Sequence, residues 1–108
     1  MSDVVTSSTP AYSITEVEVL DPDGAQRYAE LTGIAVDKFG GRFIVLGAEP
    51  TLVEGEFPAR RRVVVIEWPD MATLQAWYDS PEYAPAREIA GTALRRRLIF
   101  LPGLDAPA

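Results

Sequence analysis

Three short segments of this chain are apolar at every position: Phe43-Ile44-Val45-Leu46, Val63-Val64-Val65-Ile66 and Leu98-Ile99-Phe100-Leu101. Their brevity and their β-branched and aromatic content mark them as strands. Side chains alternate between the two faces of a strand, so a run without polar alternation asks for burial on both faces. Helices can cover one face of a sheet. The other needs its own cover, and a second copy of the same sheet is the simplest one. Each Val, Leu, Ile or Phe buried this way contributes roughly 1.5–3 kcal/mol. Left in water, the same residues make a marginal, sticky monomer. The pattern predicts a homodimer joined through its sheet faces.

The remaining elements follow from local signals. Tyr12 to Val19 reads as a first strand. Asp21 can cap a helix with Pro22 at its first position. Ala25, Tyr28, Ala29, Thr32, Ala35, Val36 and Phe39 then recur at helical spacing, and Gly40-Gly41 closes the helix. Arg42 to Leu46 is a second strand, with a resumption at Thr51 to Val53; Arg61 to Trp68 is a third. Pro69-Asp70 opens a helix carrying Met71, Leu74, Trp77 and Tyr78. Ser80 can cap a further helical segment with Pro81 first, and Pro85 should kink that segment. Arg96 to Leu101 is the fourth strand. The order strand, helix, strand, strand, helix, strand is that of an α+β ferredoxin-like βαββαβ fold. It implies a four-stranded antiparallel sheet, in the order 4-1-3-2, with its helices on one face. Residues 1–10 are expected to be a disordered tail, 11–103 a single domain and 104–108 a C-terminal tail.

Composition narrows the chemistry. A net charge of −6 and an acidic balance argue against nucleic-acid and anionic-membrane partners. Met1 to Ser8 has no basic region followed by an apolar run, so a cytoplasmic location is expected. The chain has no cysteine, which removes thiolate nucleophiles and thiolate metal sites. It also has no histidine, the commonest metal ligand and the usual base near neutral pH. Neither a metal site nor a cofactor is expected. Chemistry must rest on Asp, Glu, Arg, Lys, Tyr, Ser and Thr, or on a reactive substrate.

The stretch Ala76-Trp77-Tyr78-Asp79-Ser80-Pro81-Glu82-Tyr83, together with Gly40-Gly41-Arg42-Phe43 and Glu54-Gly55, resembles the small bacterial family catalogued as domain of unknown function 1330. The resemblance runs from about Tyr12 to Gly103. It implies the dimeric α/β-barrel group of ferredoxin-like folds, a group in which several members handle haem through a histidine that this chain lacks. It implies no reaction, because the family has none assigned. It also implies aromatic hydroxyls, here those of Tyr28 and Tyr83, near a cleft between helices and sheet.

Each candidate residue has a functional and a structural reading. Tyr28, Tyr78 and Tyr83 are phenols that could donate to a polar ligand, or aromatic packing whose hydroxyls meet backbone or water. Trp77 is assigned to the core. Arg42 could hold an anion in a two-pronged contact, or pair with Glu67 and fix a strand end. Glu67 ends an apolar strand, where burial could raise its pKa into the range of a proton acceptor; Glu54 sits in the Glu-Gly pair. Glu67 and Tyr28 are the candidate catalytic residues, and Arg42, Tyr28, Tyr83, Glu54 and Tyr78 the candidate ligand-binding ones. Arg60-Arg61-Arg62 and Arg95-Arg96-Arg97 fall at one end of the sheet with Glu18, Asp21, Glu54 and Glu56, and read as charge neutralisation at its rim. Ser80, with no histidine to activate it, reads as a cap. Three functions fit: a homodimer binding a small anionic or phenolic molecule, a cofactor-free monooxygenase or isomerase on the same cleft, and a structural or regulatory dimer without a ligand.

Overall fold

The structure, a computed structural model, describes residues 9–105. The expected N-terminal tail therefore lies, through residue 8, outside the described residues, as do the last three residues of the C-terminal one. Strands β1 (Ala11–Val19), β2 (Arg42–Ala48), β3 (Arg62–Trp68) and β4 (Leu94–Pro102) form an antiparallel sheet in the order β2-β3-β1-β4. Helices α1 (Pro22–Lys38), α2 (Met71–Tyr78) and α3 (Ala84–Ala93) complete an α+β ferredoxin-like fold. Among the described residues, no helix is long and apolar enough to cross a membrane.

Pairing register fixes which side chain faces where. Ser13, Thr15 and Val17 of β1 lie level with Ile66, Val64 and Arg62 of β3, and with Phe100, Leu98 and Arg96 of β4. These positions share the helix-covered face. There Ala11, Val36, Ile66, Trp68, Leu74, Trp77 and Tyr83 form the main core, with Trp68 stacked on Trp77 at 4.7 Å. Ile14, Val65 and Ile99 lie level on the opposite face, which no helix covers among the described residues, and Ile99 is 42% exposed. The doubly apolar strands thus have one face filled and one open.

The ends of the elements follow from their residues. Asp21 caps α1 by accepting the Asp23 N–H at 3.2 Å, and Asp70 caps α2 by accepting that of Thr73 at 2.7 Å. After α1, Gly40 adopts φ +76°, and the backbone at Gly41 passes so close to Trp68 that a Cβ would stand 2.8 Å from its ring. Two expectations need correction. Pro85 does not kink a helix: residues 81–83 form a turn, and α3 begins at Ala84, so Pro85 occupies the first turn, where no amide partner is required. Residues 51–53 do not resume β2. Two register shifts on that edge strand, at Ile44 and Gly47, turn it away from β3, and Pro50 follows.

Candidate functional site

Along α1, Ala25, Tyr28, Ala29, Thr32 and Gly33 recur at three- and four-residue spacing and face the sheet. Three of the five are Ala or Gly, so the helix backbone is held off Val17, Val64, Ile66 and Phe43 without side chains to fill the gap. A cavity of about 390 Å³ results, lined also by Trp77 of α2 and Leu94 of β4. A Cβ added at Gly33 would meet nothing within 4 Å. The wall is almost wholly carbon. Two lining residues each carry a polar atom that is buried away from any accessible space and has no hydrogen-bond partner among the described residues: Thr32 Oγ1 and Trp77 Nε1. An unmade bond of this kind costs about 1–3 kcal/mol. The other indole of the chain is satisfied, since Trp68 Nε1 donates to Ser13 Oγ at 3.1 Å.

At one edge of this cavity stands a polar cluster. Arg96 lies level with the wall residue Val17 and on the same face. Its Nη1 donates to the Tyr28 hydroxyl at 2.7 Å and to the Tyr83 hydroxyl at 3.0 Å, and the two phenolic oxygens are 2.6 Å apart. No carboxylate pairs with Arg96 among the described residues. Its two Nη1 protons are used by the phenols, which leaves the Nε and Nη2 protons for another acceptor. Proton counting also orients the phenols. Tyr83 is fully buried and has only Tyr28 to accept its proton, so Tyr83 donates to Tyr28 and the Tyr28 proton is left free. Tyr28 lines the cavity. Burial, followed by the neighbouring Tyr28, raises the Tyr83 pKa despite Arg96, so Tyr83 stays a neutral donor. Burial lowers the Arg96 pKa, but the phenols outweigh it and the guanidinium remains charged.

The family model described as Domain of unknown function (DUF1330) matches residues 10–104. The chain belongs to this family. No functionally curated protein matches it. Its fold is similar to that of a protein of unknown function from Rhodopseudomonas palustris, with a TM-score of 0.68, 24% identity, and coverage of 93% of this chain and 85% of that one. It is also similar to SnoaB, a cofactor-independent oxygenase from Streptomyces nogalater, with a TM-score of 0.62, 11% identity and coverage of 92% and 97%. A dimeric ferredoxin-like protein of unknown function from Thermobifida fusca gives a TM-score of 0.56 at 17% identity over 93% and 96% of the two chains. At these identities the likeness establishes the fold.

In this DUF1330 chain the candidates named from sequence fall into separate places. Tyr28 and Tyr83 come together on Arg96. Tyr78 packs beside them, 5.9 Å from the Tyr83 ring, with the Arg87 guanidinium 4.2 Å from its centroid. Arg42 and Glu67 lie across the sheet, paired at 2.5 Å on the face away from the helices, where Tyr12 also donates to Glu67 at 3.0 Å. The pKa expected for Glu67 needs correction: hydrogen bonds from Arg42 and then Tyr12 outweigh burial and hold it below the ordinary value of 4.5. Glu54 is exposed in the loop between β2 and β3. Trp77 is a core residue and also a cavity wall. The expectation that Ser80 caps a helix beginning at Pro81 needs correction: Ser80 accepts the Tyr83 N–H at 3.1 Å and donates to the Trp77 carbonyl, which closes the 81–83 turn, while the N-cap of α3 is Tyr83, without a side-chain cap bond. Glu16 and Glu18 are the acids that pair with Arg61, Arg97 and Arg95 at the sheet rim. Arg96, grouped with those rim residues in the sequence, is the site residue that reading missed. Strand alternation carries the signal: Leu94, Arg96, Leu98 and Phe100 share one face, and Arg96 is the charged residue among them. Among the described residues no cluster of acids could hold a metal.

Proposed function

We propose that this DUF1330 chain is a homodimer that binds a small, largely apolar organic molecule with an anionic or phenolic oxygen in the cavity beneath α1. The observation that carries this reading is Arg96, a part-buried cation with no carboxylate partner among the described residues, which holds the Tyr28 hydroxyl at the cavity edge. An anionic oxygen there accepts from Tyr28 and from the free guanidinium protons, while the ring lies against Val17, Val64, Ile66 and Phe43. The dimer reading rests on the open sheet face. Ile14, Val65, Ile99 and Leu101 form an apolar centre between the Arg42–Glu67 pair at one end and the Glu16 and Glu18 pairs at the other. An apolar centre with a polar rim is how subunit interfaces are built.

Binding is checked by thermal unfolding with benzoate, naphthoate and naphthol. Wild type is expected to rise by several degrees with at least one of them. Tyr28→Phe and Arg96→Met are expected to lose that rise, each measured against its own ligand-free midpoint. Equal rises in the variants would remove the cluster from the site. No rise with any ligand would leave the structural or regulatory dimer without a ligand.

A second reading, a cofactor-free oxygenase, is favoured by the same pair of donors, which would hold a phenolic substrate as its electron-rich anion beside apolar walls. Substrate supplies the electrons and dioxygen is the oxidant, with one oxygen atom entering the product and the other leaving as water. Dioxygen uptake with naphthol in metal-chelated, flavin-free buffer checks it, and uptake that requires an added cofactor would exclude it.

A further inference from the structure

We infer that the ligand of this cavity is an elongated amphiphile, with one acidic or phenolic end held at Tyr28 and Arg96 and an apolar body that crosses the whole sheet beneath α1. The far end of that body emerges to water past Leu46, which makes Leu46 the residue that sets the preferred length. This inference rests on the binding reading above and specifies the shape of the ligand.

Strand register gives the cavity its direction. Its floor takes residues from every strand, with Leu94 on β4, Val17 on β1, Val64 on β3 and Leu46 on β2. Arg96 of β4 is level with Val17, whereas Leu46 is level with Val64, which is itself level with Thr15 of β1. In the order β2-β3-β1-β4, Arg96 and Leu46 sit on opposite edges of the sheet. The distance between those edges is roughly 14 Å at the usual strand spacing. Above this floor, α1 contributes Gly33, where an added Cβ would meet nothing within 4 Å. The space beneath the helix is therefore long in the direction that runs across the strands.

Chemistry and exposure assign the two ends. Tyr28 lines the cavity and takes a hydrogen bond from Arg96, so the acidic end belongs at the β4 edge. No charged side chain lines the cavity, so a second charge along the body would lie in an apolar enclosure without a partner. Leu46 lines the cavity and is 71% exposed, so the floor ends at solvent on the β2 edge. Val19 is also a lining residue and is 50% exposed, but it is level with Leu94 at the anchored edge. A body leaving there would leave Val64 and Leu46 bare, and burial of that apolar floor is what favours the longer path. A short acid such as benzoate reaches only the anchored end.

The test is calorimetric titration of benzoate and its para-butyl, para-hexyl, para-octyl and para-decyl homologues, each below its aggregation threshold. Affinity is expected to rise by up to about fourfold per methylene, the worth of a fully buried one, and to level off once the chain passes Leu46. In the bound para-hexyl compound, nuclear Overhauser contacts are expected from the ring protons to the Tyr28 ring and from the terminal methyl to the Leu46 methyls. Those contacts are read on the unaltered chain, so they stand even if a variant fails to fold. Leu46→Asp is expected to reduce the ratio of para-octylbenzoate to benzoate affinity several-fold. A flat series in which benzoate binds would overturn this inference and leave the binding reading standing. So would a rise that never levels off, a terminal methyl that meets Val19 instead of Leu46, or an unaltered ratio in the variant. If no member of the series binds, both readings fall.

Discussion

Arg96 illustrates how much a single residue's neighbours decide. Its sequence neighbours Arg95 and Arg97 project to the open face and meet Glu18 and Glu16, whereas Arg96 projects under the helices and meets two phenols. Exposed pairs of the first kind contribute about 0–1 kcal/mol. A part-buried guanidinium bound to neutral phenols keeps its charge available. Gly33 is the complementary case, since what matters there is a missing side chain. Replacing it with Leu should stabilise the chain by about 1 kcal/mol through helix propensity, because a Cβ at that position meets open space. The same variant should lose ligand-induced stabilisation. Chemical denaturation with and without naphthoate checks both, and a loss of stability would mean that the space beneath α1 is already filled.

At the scale of elements, caps and turns are written locally. Asp70 accepts the Thr73 N–H, and that bond holds its carboxylate below its ordinary pKa of 3.8. A depressed pKa means the stabilisation is complete above the unfolded value and disappears as pH falls through the folded one. Asp70→Ala should therefore cost about 1 kcal/mol at neutral pH, and the gap to wild type should close as the pH falls from the ordinary value of 3.8 through the lowered one. Denaturant midpoints across that range check this. A gap that persists in acid would mean that the side chain acts through packing. The third helix argues differently. A proline read as a kink proved to be part of a helix start, because the Ser80 hydroxyl spends the intervening residues on a turn.

For the whole molecule, the homodimer proposed above rests on the open sheet face. Ile99 lies level with Ile14 at the middle of that face and is part exposed. In a sheet-to-sheet homodimer, Ile99→Glu buries a charge on each subunit in the apolar centre of the interface, which is unfavourable. Light scattering at micromolar concentration should report a dimer for wild type and a monomer for this variant. A variant that stays dimeric would move the interface elsewhere. The cavity lies on the opposite side of the sheet, so the monomeric variant should keep its ligand response if it remains folded.

The order of elements, the antiparallel sheet and the caps at Asp21 and Asp70 were legible in the sequence, because each depends on side chains within a few residues of one another. So was the demand that both faces of β3 and β4 be covered, since alternation is a property of the chain alone. The pairing of Tyr28 with Tyr83 was expected only in outline. What tertiary structure decided was which charges go where. Arg42 and Glu67 lie 25 residues apart and neutralise each other across β2 and β3, on the face away from the cavity. Arg96 lies 68 residues from Tyr28 and reaches it through the register of β4 against β1. Such partnerships depend on a register set by the whole sheet, and no local pattern encodes them. The two unpartnered buried atoms, Thr32 Oγ1 and Trp77 Nε1, belong to the same class, because whether a buried group finds a partner is known only once every neighbour has been placed.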